Sequence, residues 1–204
     1  MKSKGAAKLS TAPLTGTWYR AVQPKHFSTA LAYAHTATIP GRFNSGHIGA
    51  PGIQVLYLGE DHVTCLYEVA AILGSPLPGQ WNLPNPANPW TVVPTNVQLT
   101  RVVDLTTPAA LKAFGTSEQE LTGDWRCYKL RPAAAGLLHA GFPVDAPTQE
   151  LGDALHARKD IDGAITYSAK VPTKRNLVVF PLRIAKGNFV SFIDPSTGIT
   201  HTIP

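Results

Sequence analysis

Residues 41–68 read GRFNSGHIGAPGIQVLYLGEDHVTCLYE, and three elements follow one another within them. Pro40 and the glycines at 41, 46, 49 and 52 exclude regular structure and predict a loop over Ile39–Gly52. Ile53–Leu58 predicts a strand, with Val55 and Tyr57 on one face and Leu56 and Leu58 on the other. Asp61 predicts an N-cap for a helix whose buried stripe would be Leu66, Val69, Ala70 and Leu73. Glu68 lies off the centre of that stripe, placed to reach a cleft edge. Arg42 in the loop, Tyr57 on the strand and Glu68 on the helix therefore put a cation, an aromatic face and a carboxylate on three consecutive elements. Such elements can converge on one cleft.

Outward from this stretch, Trp18–Val22 is a short β-prone start, and Ser28 predicts the cap of a helix reaching about His35, with Leu31 and Ala34 inward. The interval 75–94 carries six prolines and predicts a surface excursion or lid. Val97–Leu105 predicts a strand. Thr107-Pro108 opens a helix with proline at its first position, and Ser117 with Glu120 has the capping-box spacing. Thr148–Ala157 predicts a helix, and Ala164–Tyr167, Leu177–Leu182 and Phe189–Ile193 predict strands. These elements add up to one α+β domain over residues 17–204 with several strands and short flanking helices, preceded by a basic tail over 1–16.

The 204 residues suffice for a single full core, and no stretch approaches the roughly 18 apolar residues of a membrane span. The N-terminus has lysines but no apolar signal region, so a cytoplasmic protein is expected. Cys65 and Cys127 are too few for a disulfide framework or a zinc site and read as two buried thiols in a reducing compartment. The net charge of +5 suits an anionic small molecule, an acidic partner or nucleic acid. No RNP-type motif, Cys/His finger or dense basic helix accompanies it, so direct nucleic-acid binding is not expected.

Motif spacing excludes several chemistries. The glycines fit neither GxGxxG nor GxxxxGK[ST], although a Gly-rich loop can still bring backbone N–H groups to phosphate. His26, His35, His47, His62, His139, His156 and His201 lack ligand spacing, so no metal is expected, and no GxSxG nucleophile elbow is present.

The segments WYR at 18–20, GRFN at 41–44 and LYL at 56–58, then Glu68, TQELGDAL at 148–155, YSA at 167–169 and RNLVVF at 175–180 resemble the RES domain family in order and spacing. The resemblance spans roughly residues 17 to 185. It departs where the family often has Trp (Phe43 and Leu155 here), where its serine often follows Pro (Tyr167 here), and in the length of the Pro-rich excursion. The resemblance implies a fold similar to ADP-ribosyltransferases, with a split β-sheet core, and a toxin of a bacterial type II toxin–antitoxin pair that attacks NAD+. It implies a cognate Xre-type helix-turn-helix antitoxin that blocks the active site, and it leaves a homodimer within such a complex open. The family's arginine, glutamate and serine carry over to Arg20, Glu68 and Ser168, its tyrosine to Tyr57 and its loop arginine to Arg42. Asn44 and Tyr19 are further candidates for binding NAD+. NAD+ enters as substrate, with no cofactor.

These residue types suit that chemistry. Cleaving the nicotinamide–ribose bond expels neutral nicotinamide and develops oxocarbenium character on the ribose, which a carboxylate such as Glu68 would stabilise increasingly as charge builds. Arginines 20 and 42 suit a bidentate grip on phosphate oxygens. Tyr57 offers an electron-rich face to cationic nicotinamide, and Ser168 offers a hydroxyl that could hold the reactive conformer. The residues leave the ADP-ribose acceptor open among water, phosphate and protein. A non-catalytic nucleotide-binding module is the alternative of a different class.

Overall fold

The computed structural model of the chain describes residues 9–46, 49–130 and 145–204. In chain order the strands are β1 (Ala12–Val22), β2 (Leu56–Gly59), β3 (Ile72–Gly74), β4 (Asn82–Pro84), β5 (Thr91–Asp104), β6 (Gly163–Tyr167), β7 (Arg175–Val179), β8 (Phe189–Ile193) and β9 (Thr200–Ile203). The helices are α1 (His62–Glu68), α2 (Pro108–Phe114), α3 (Glu118–Thr122) and α4 (Pro147–Ala157). The result is a mixed α+β domain built on a seven-stranded sheet in the order β1-β2-β7-β6-β5-β8-β9.

That sheet closes on itself. β1 pairs with β2 and also along β5, so β1, β2, β7, β6 and β5 form a ring of pairings. The weakest seam is β1–β2, where Tyr19 opposite Gly59 is the sole registered pair. On one face of the sheet Trp18, Val22, Leu56, Leu58, Val97, Leu99, Leu177, Val179 and Phe192 form one core. A second core joins Phe43, Val55, Val178 and Phe180 to Phe114, Leu121, Leu151 and Leu155 of the helices. The alternation expected for residues 55–58 thus holds, with Leu56 and Leu58 in the first core and Val55 and Tyr57 in the second.

Helix signals act as expected where they are local. Asp61 accepts from Thr64 N at 2.7 Å, Thr107 accepts from Ala110 N at 3.2 Å and Ser117 accepts from Glu120 N at 3.2 Å. The capping box is only half formed, because Glu120 Oε2 accepts instead from Thr116 Oγ1 at 2.8 Å.

Several expectations are corrected. Helix α1 stops at Glu68, and its buried face is Thr64, Cys65 and Tyr67; Leu66 and Val69 are half-buried and Ala70 and Leu73 exposed. The cause is a left-handed Ala70 (φ 56°), with Ala71 N donating back to Leu66 O and Ala70 N to Tyr67 O. Asn88 Nδ2 and Asn85 Nδ2 take the freed carbonyls of Val69 and Ala70, so residues 15–19 positions away in sequence terminate the helix. The Pro-rich excursion supplies the turn and second strand of a β3–β4 hairpin fastened there, and the hairpin exposes Leu73, Leu77, Trp81 and Leu83. Its last residues, including Pro94, belong to β5, where β8 pairs only from Asn96 onward and leaves that end of the strand without a second neighbour.

No α-helix forms near Ser28. Two 3-10 turns, Pro24–Thr29 and Ala34–Ala37, stand there, with Ala30, Leu31, Thr36 and Ala37 inward and Ala34 exposed. Arg20 Nη2 takes the Ala32 carbonyl and Thr36 Oγ1 bonds both Tyr33 O and the Val55 backbone, so the chain is tied across rather than along itself. Strand β1 begins at Ala12, inside the expected tail, because Ala12–Gly16 pairs with β5; residues 1–8 of that tail lie outside the described residues. The Leu177–Leu182 strand ends at Val179, before Pro181. Cys127 is exposed and unpaired, whereas Cys65 is buried as expected.

Candidate active site

Glu68, the last residue of α1, is held from across the fold. Its Oε1 accepts from Ser168 Oγ at 2.6 Å, Asn176 Nδ2 at 2.8 Å and Ala169 N at 2.9 Å. Its Oε2 has no hydrogen-bond partner among the described residues, and no ion pair is formed there. One oxygen is thus committed to the scaffold and the other is left for chemistry. Ser168, 6% exposed, is itself fixed, since its Oγ also accepts from Lys170 N and Val171 N. Its hydroxyl orients Glu68 and is not part of the cavity lining.

Glu68 lines a cavity of about 550 Å³ together with Arg20, Arg42, Tyr57, Trp90, Thr166 and Asn176. That volume falls within the roughly 300–1,000 Å³ of small-molecule sites. The cavity lies against the weak β1–β2 seam, with Arg20 and Gly59 both in its wall. His35, Cys65, Asp124, Arg126 and Lys170 also border it.

Tyr57 brings its ring to the cavity and anchors its hydroxyl behind. The OH donates to Asn44 Oδ1 at 2.7 Å and accepts from Phe43 N at 2.9 Å. Burial pushes this phenol well above its ordinary value, so it stays neutral. Asn44 is fully buried; its Nδ2 donates to Thr36 O and Ile39 O, so it braces the loop and does not line the cavity. The loop is also clamped by Gln149 of α4, whose Nε2 donates to Gly41 O and Asn44 O while its Oε1 accepts from Ala146 N. Two glycines allow this packing. A Cβ at Gly152 would strike the Phe43 carbonyl, and one at Gly46 would strike Ala37 O and Gly52 N. The Gly-rich composition therefore serves close backbone approach.

The two arginines differ. Arg42 Nη1 donates to Leu121 O and Gly123 O at the end of α3, which leaves Nε and Nη2 without hydrogen bonds among the described residues. Burial lowers its pKa, while the nearby Glu68 carboxylate holds it up. Arg20 Nη2 donates to Ala32 O, but Nη1 is buried without a partner, and no carboxylate pairs with this guanidinium among the described residues. Burial brings its pKa down to about 10, which still leaves it cationic at neutral pH. Burial, Arg20 and His26 lower the His35 pKa, so that ring is neutral there. Burial pushes the Cys65 thiol up to about 12, and its Sγ donates to Tyr19 O. Tyr19 alternates with Arg20 along β1, meets His62 edge-on and stays outside the cavity lining.

The fold therefore brings Arg20, Arg42, Tyr57 and Glu68 to one cavity, places Ser168 directly behind Glu68, and puts Asn44 and Tyr19 outside the lining. Sequence reading overlooked Asn176, Gln149, Trp90 and Thr166. Each is an ordinary polar or aromatic residue at an element end, and only the polar Asn176 inside an otherwise apolar NLVVF run was a signal. Among the described residues no cluster of three or more His, Cys, Asp or Glu side chains could hold a metal; His47 and His139 lie outside them. No helix among those residues is long and apolar enough to cross a membrane.

Residues 17–194 match the RES domain, so the chain belongs to the RES domain family. The fold is similar to that in the crystal structure of the M. tuberculosis MbcT–MbcA toxin–antitoxin complex, with a TM-score of 0.58 and 19% sequence identity over 91% of this chain and 85% of that one. No curated protein matches the sequence.

Proposed function

We propose that this RES domain is the toxin of a toxin–antitoxin pair and cleaves the nicotinamide–ribose bond of NAD+. The observation that carries the reading is Glu68: a carboxylate with one oxygen triply bonded to the scaffold and the other unpartnered, in a cavity that also holds two arginines and an aromatic face. In this reading Arg20 and Arg42 hold the pyrophosphate, and the rigid Tyr57 ring stacks on nicotinamide. Glu68 Oε2 accepts from a ribose hydroxyl. As the C–N bond breaks, its electron pair leaves with nicotinamide, and the carboxylate stabilises the cationic ribose. An acceptor oxygen then bonds that carbon and releases its proton. Membership in the family and the likeness to a toxin–antitoxin complex support a partner protein that covers this cavity.

The test is nicotinamide release from NAD+ by the purified chain, with and without inorganic phosphate. ADP-ribose as co-product identifies water as acceptor, and a phosphorylated ADP-ribose identifies phosphate. Glu68→Gln should lower release by about 100-fold or more. Full activity in that variant refutes the assignment.

A further inference from the structure

The β3–β4 hairpin is a two-stranded sheet separate from the seven-stranded one, and Leu73, Gly74, Asn82, Leu83 and Pro84 are all exposed. Its register gathers large apolar groups on one face. Leu73 stands directly opposite Leu83, and Trp81, two residues before Leu83, projects to the same side. Ser75 N donates to Trp81 O at 3.2 Å, which holds the Trp81 backbone against β3. A Cβ at Gly74 would strike that same carbonyl, so glycine is what allows the approach. Trp81, Leu83 and Leu73 are 67, 60 and 43% exposed, and the turn adds Leu77 at 52%. Together they leave roughly 400 Å² of apolar side chain in water, a size at which a patch on a monomer marks an interaction site. A two-stranded hairpin alone in water is only marginally stable, so a covering surface also stabilises the hairpin itself.

Charge and area decide what covers it. Residues 69–90 contain no Asp, Glu, Lys, Arg or His, in a chain whose net charge is +5. A charged partner finds nothing there to pair with. Two copies of the chain repel through their net charge, and a charge-free hairpin lets them meet without burying like charges. Each strand is three residues long and Pro84 removes an N–H from β4, so contact through the apolar face is favoured over strand addition at an edge. A two-fold axis uses the same patch twice. With the prolines and asparagines around it, the patch against its own copy buries on the order of 1,000 Å², which reaches the lower limit for a specific interface.

We propose that a second copy of this chain docks on the face formed by Leu73, Trp81 and Leu83, giving a two-fold, reversible dimer held by an apolar, uncharged contact. The hairpin is fastened to the end of α1, where Asn88 and Asn85 take the carbonyls of Val69 and Ala70, the two residues after Glu68. Docking there therefore steadies the turn that follows Glu68. The dimer is independent of what the cavity binds.

Sedimentation velocity on the full chain tests it. A monomer–dimer equilibrium is expected, with a Kd on the order of 10 µM, as suits an interface at the lower size limit. Trp81→Gln combined with Leu83→Gln should weaken it about 30-fold or more, because a central tryptophan is a typical hot spot. Leu182→Gln, at a leucine 62% exposed outside the hairpin, should leave the Kd within about twofold. All three side chains are exposed, so the variants should keep the wild-type melting temperature. Added salt should tighten the dimer, since it screens the +5 on each copy. In the wild-type chain the amides of residues 72–84 should exchange more slowly as concentration rises, which maps the contact without any substitution. A chain still monomeric at about 100 µM overturns the proposal. So does a dimer that the hairpin variants leave intact, or one that salt dissociates. A hairpin that binds a different protein while the chain alone stays monomeric gives the face to that partner and overturns it likewise.

Discussion

At the scale of single residues, the site separates a group that acts from the groups that aim it. Glu68 faces the cavity, and Ser168, Asn176 and the Ala169 N–H fix its rotamer through one oxygen. A serine whose hydroxyl already donates to Glu68 and accepts from Lys170 N and Val171 N has no donor left for substrate. Ser168→Ala should therefore lower kcat about 10- to 100-fold while KM changes little, because a loosened carboxylate loses transition-state contacts rather than binding. Steady-state kinetics on NAD+ decide this, and a rise in KM at constant kcat would instead give Ser168 a direct binding role. Glu68, Arg42 and Tyr57 stood out in the sequence by their side-chain chemistry. Asn176 and Thr166 did not, because what makes them useful is a strand register that places them beside Glu68 and the cavity.

At the scale of elements, local chemistry was legible and long-range chemistry was not. The N-caps Asp61, Thr107 and Ser117 depend on atoms three residues away, and all three form. The C-terminus of α1 depends on Asn85 and Asn88, which a periodicity cannot register. The apolar spacing of Leu66, Val69, Ala70 and Leu73 predicted a helix running on to Leu73, more than one further turn. The chain instead turns at a left-handed Ala70 and sends Leu73 into the exposed hairpin. Alanine in that conformation costs about 1 kcal/mol relative to glycine. Ala70→Gly should therefore raise stability by about 0.5–1 kcal/mol, since the position is exposed and loses no packing. Urea unfolding measures it; a loss of stability would show that the turn is not strained. The stop also places Glu68 on the last helical residue, at the cavity rather than along a buried face.

At the scale of the whole molecule, one buried carboxylate ties the sheet to its returning C-terminal segment. Asp162, 0% exposed, accepts from the backbone of Thr100, Arg101 and Ala185 and from the side chains of Arg101 and Asn188. It thereby joins β5, the entry to β6 and the approach to β8. Asp162→Ala should cost about 3–5 kcal/mol, because it leaves a partly buried guanidinium and several backbone donors unpaired. The midpoint of chemical unfolding should drop accordingly, and a change below about 1 kcal/mol would exclude this role. No sequence signal marks this residue, since a lone aspartate before a strand is ordinarily solvated.

The sequence by itself determined the α+β class, the loop–strand–helix run over 41–68, the faces of β2, most strands and the family. These follow from side-chain alternation, caps and ordered motifs, all of which act within a few residues or survive as linear order. Only the tertiary structure decided that the sheet closes through β1, that α1 ends at Glu68, and that Ser168 and Asn176 stand 100 and 108 residues downstream as its hydrogen-bond partners. Those outcomes depend on strand register and on backbone approaches at Gly46 and Gly152. Both are properties of distant segments meeting, which one-dimensional spacing does not encode.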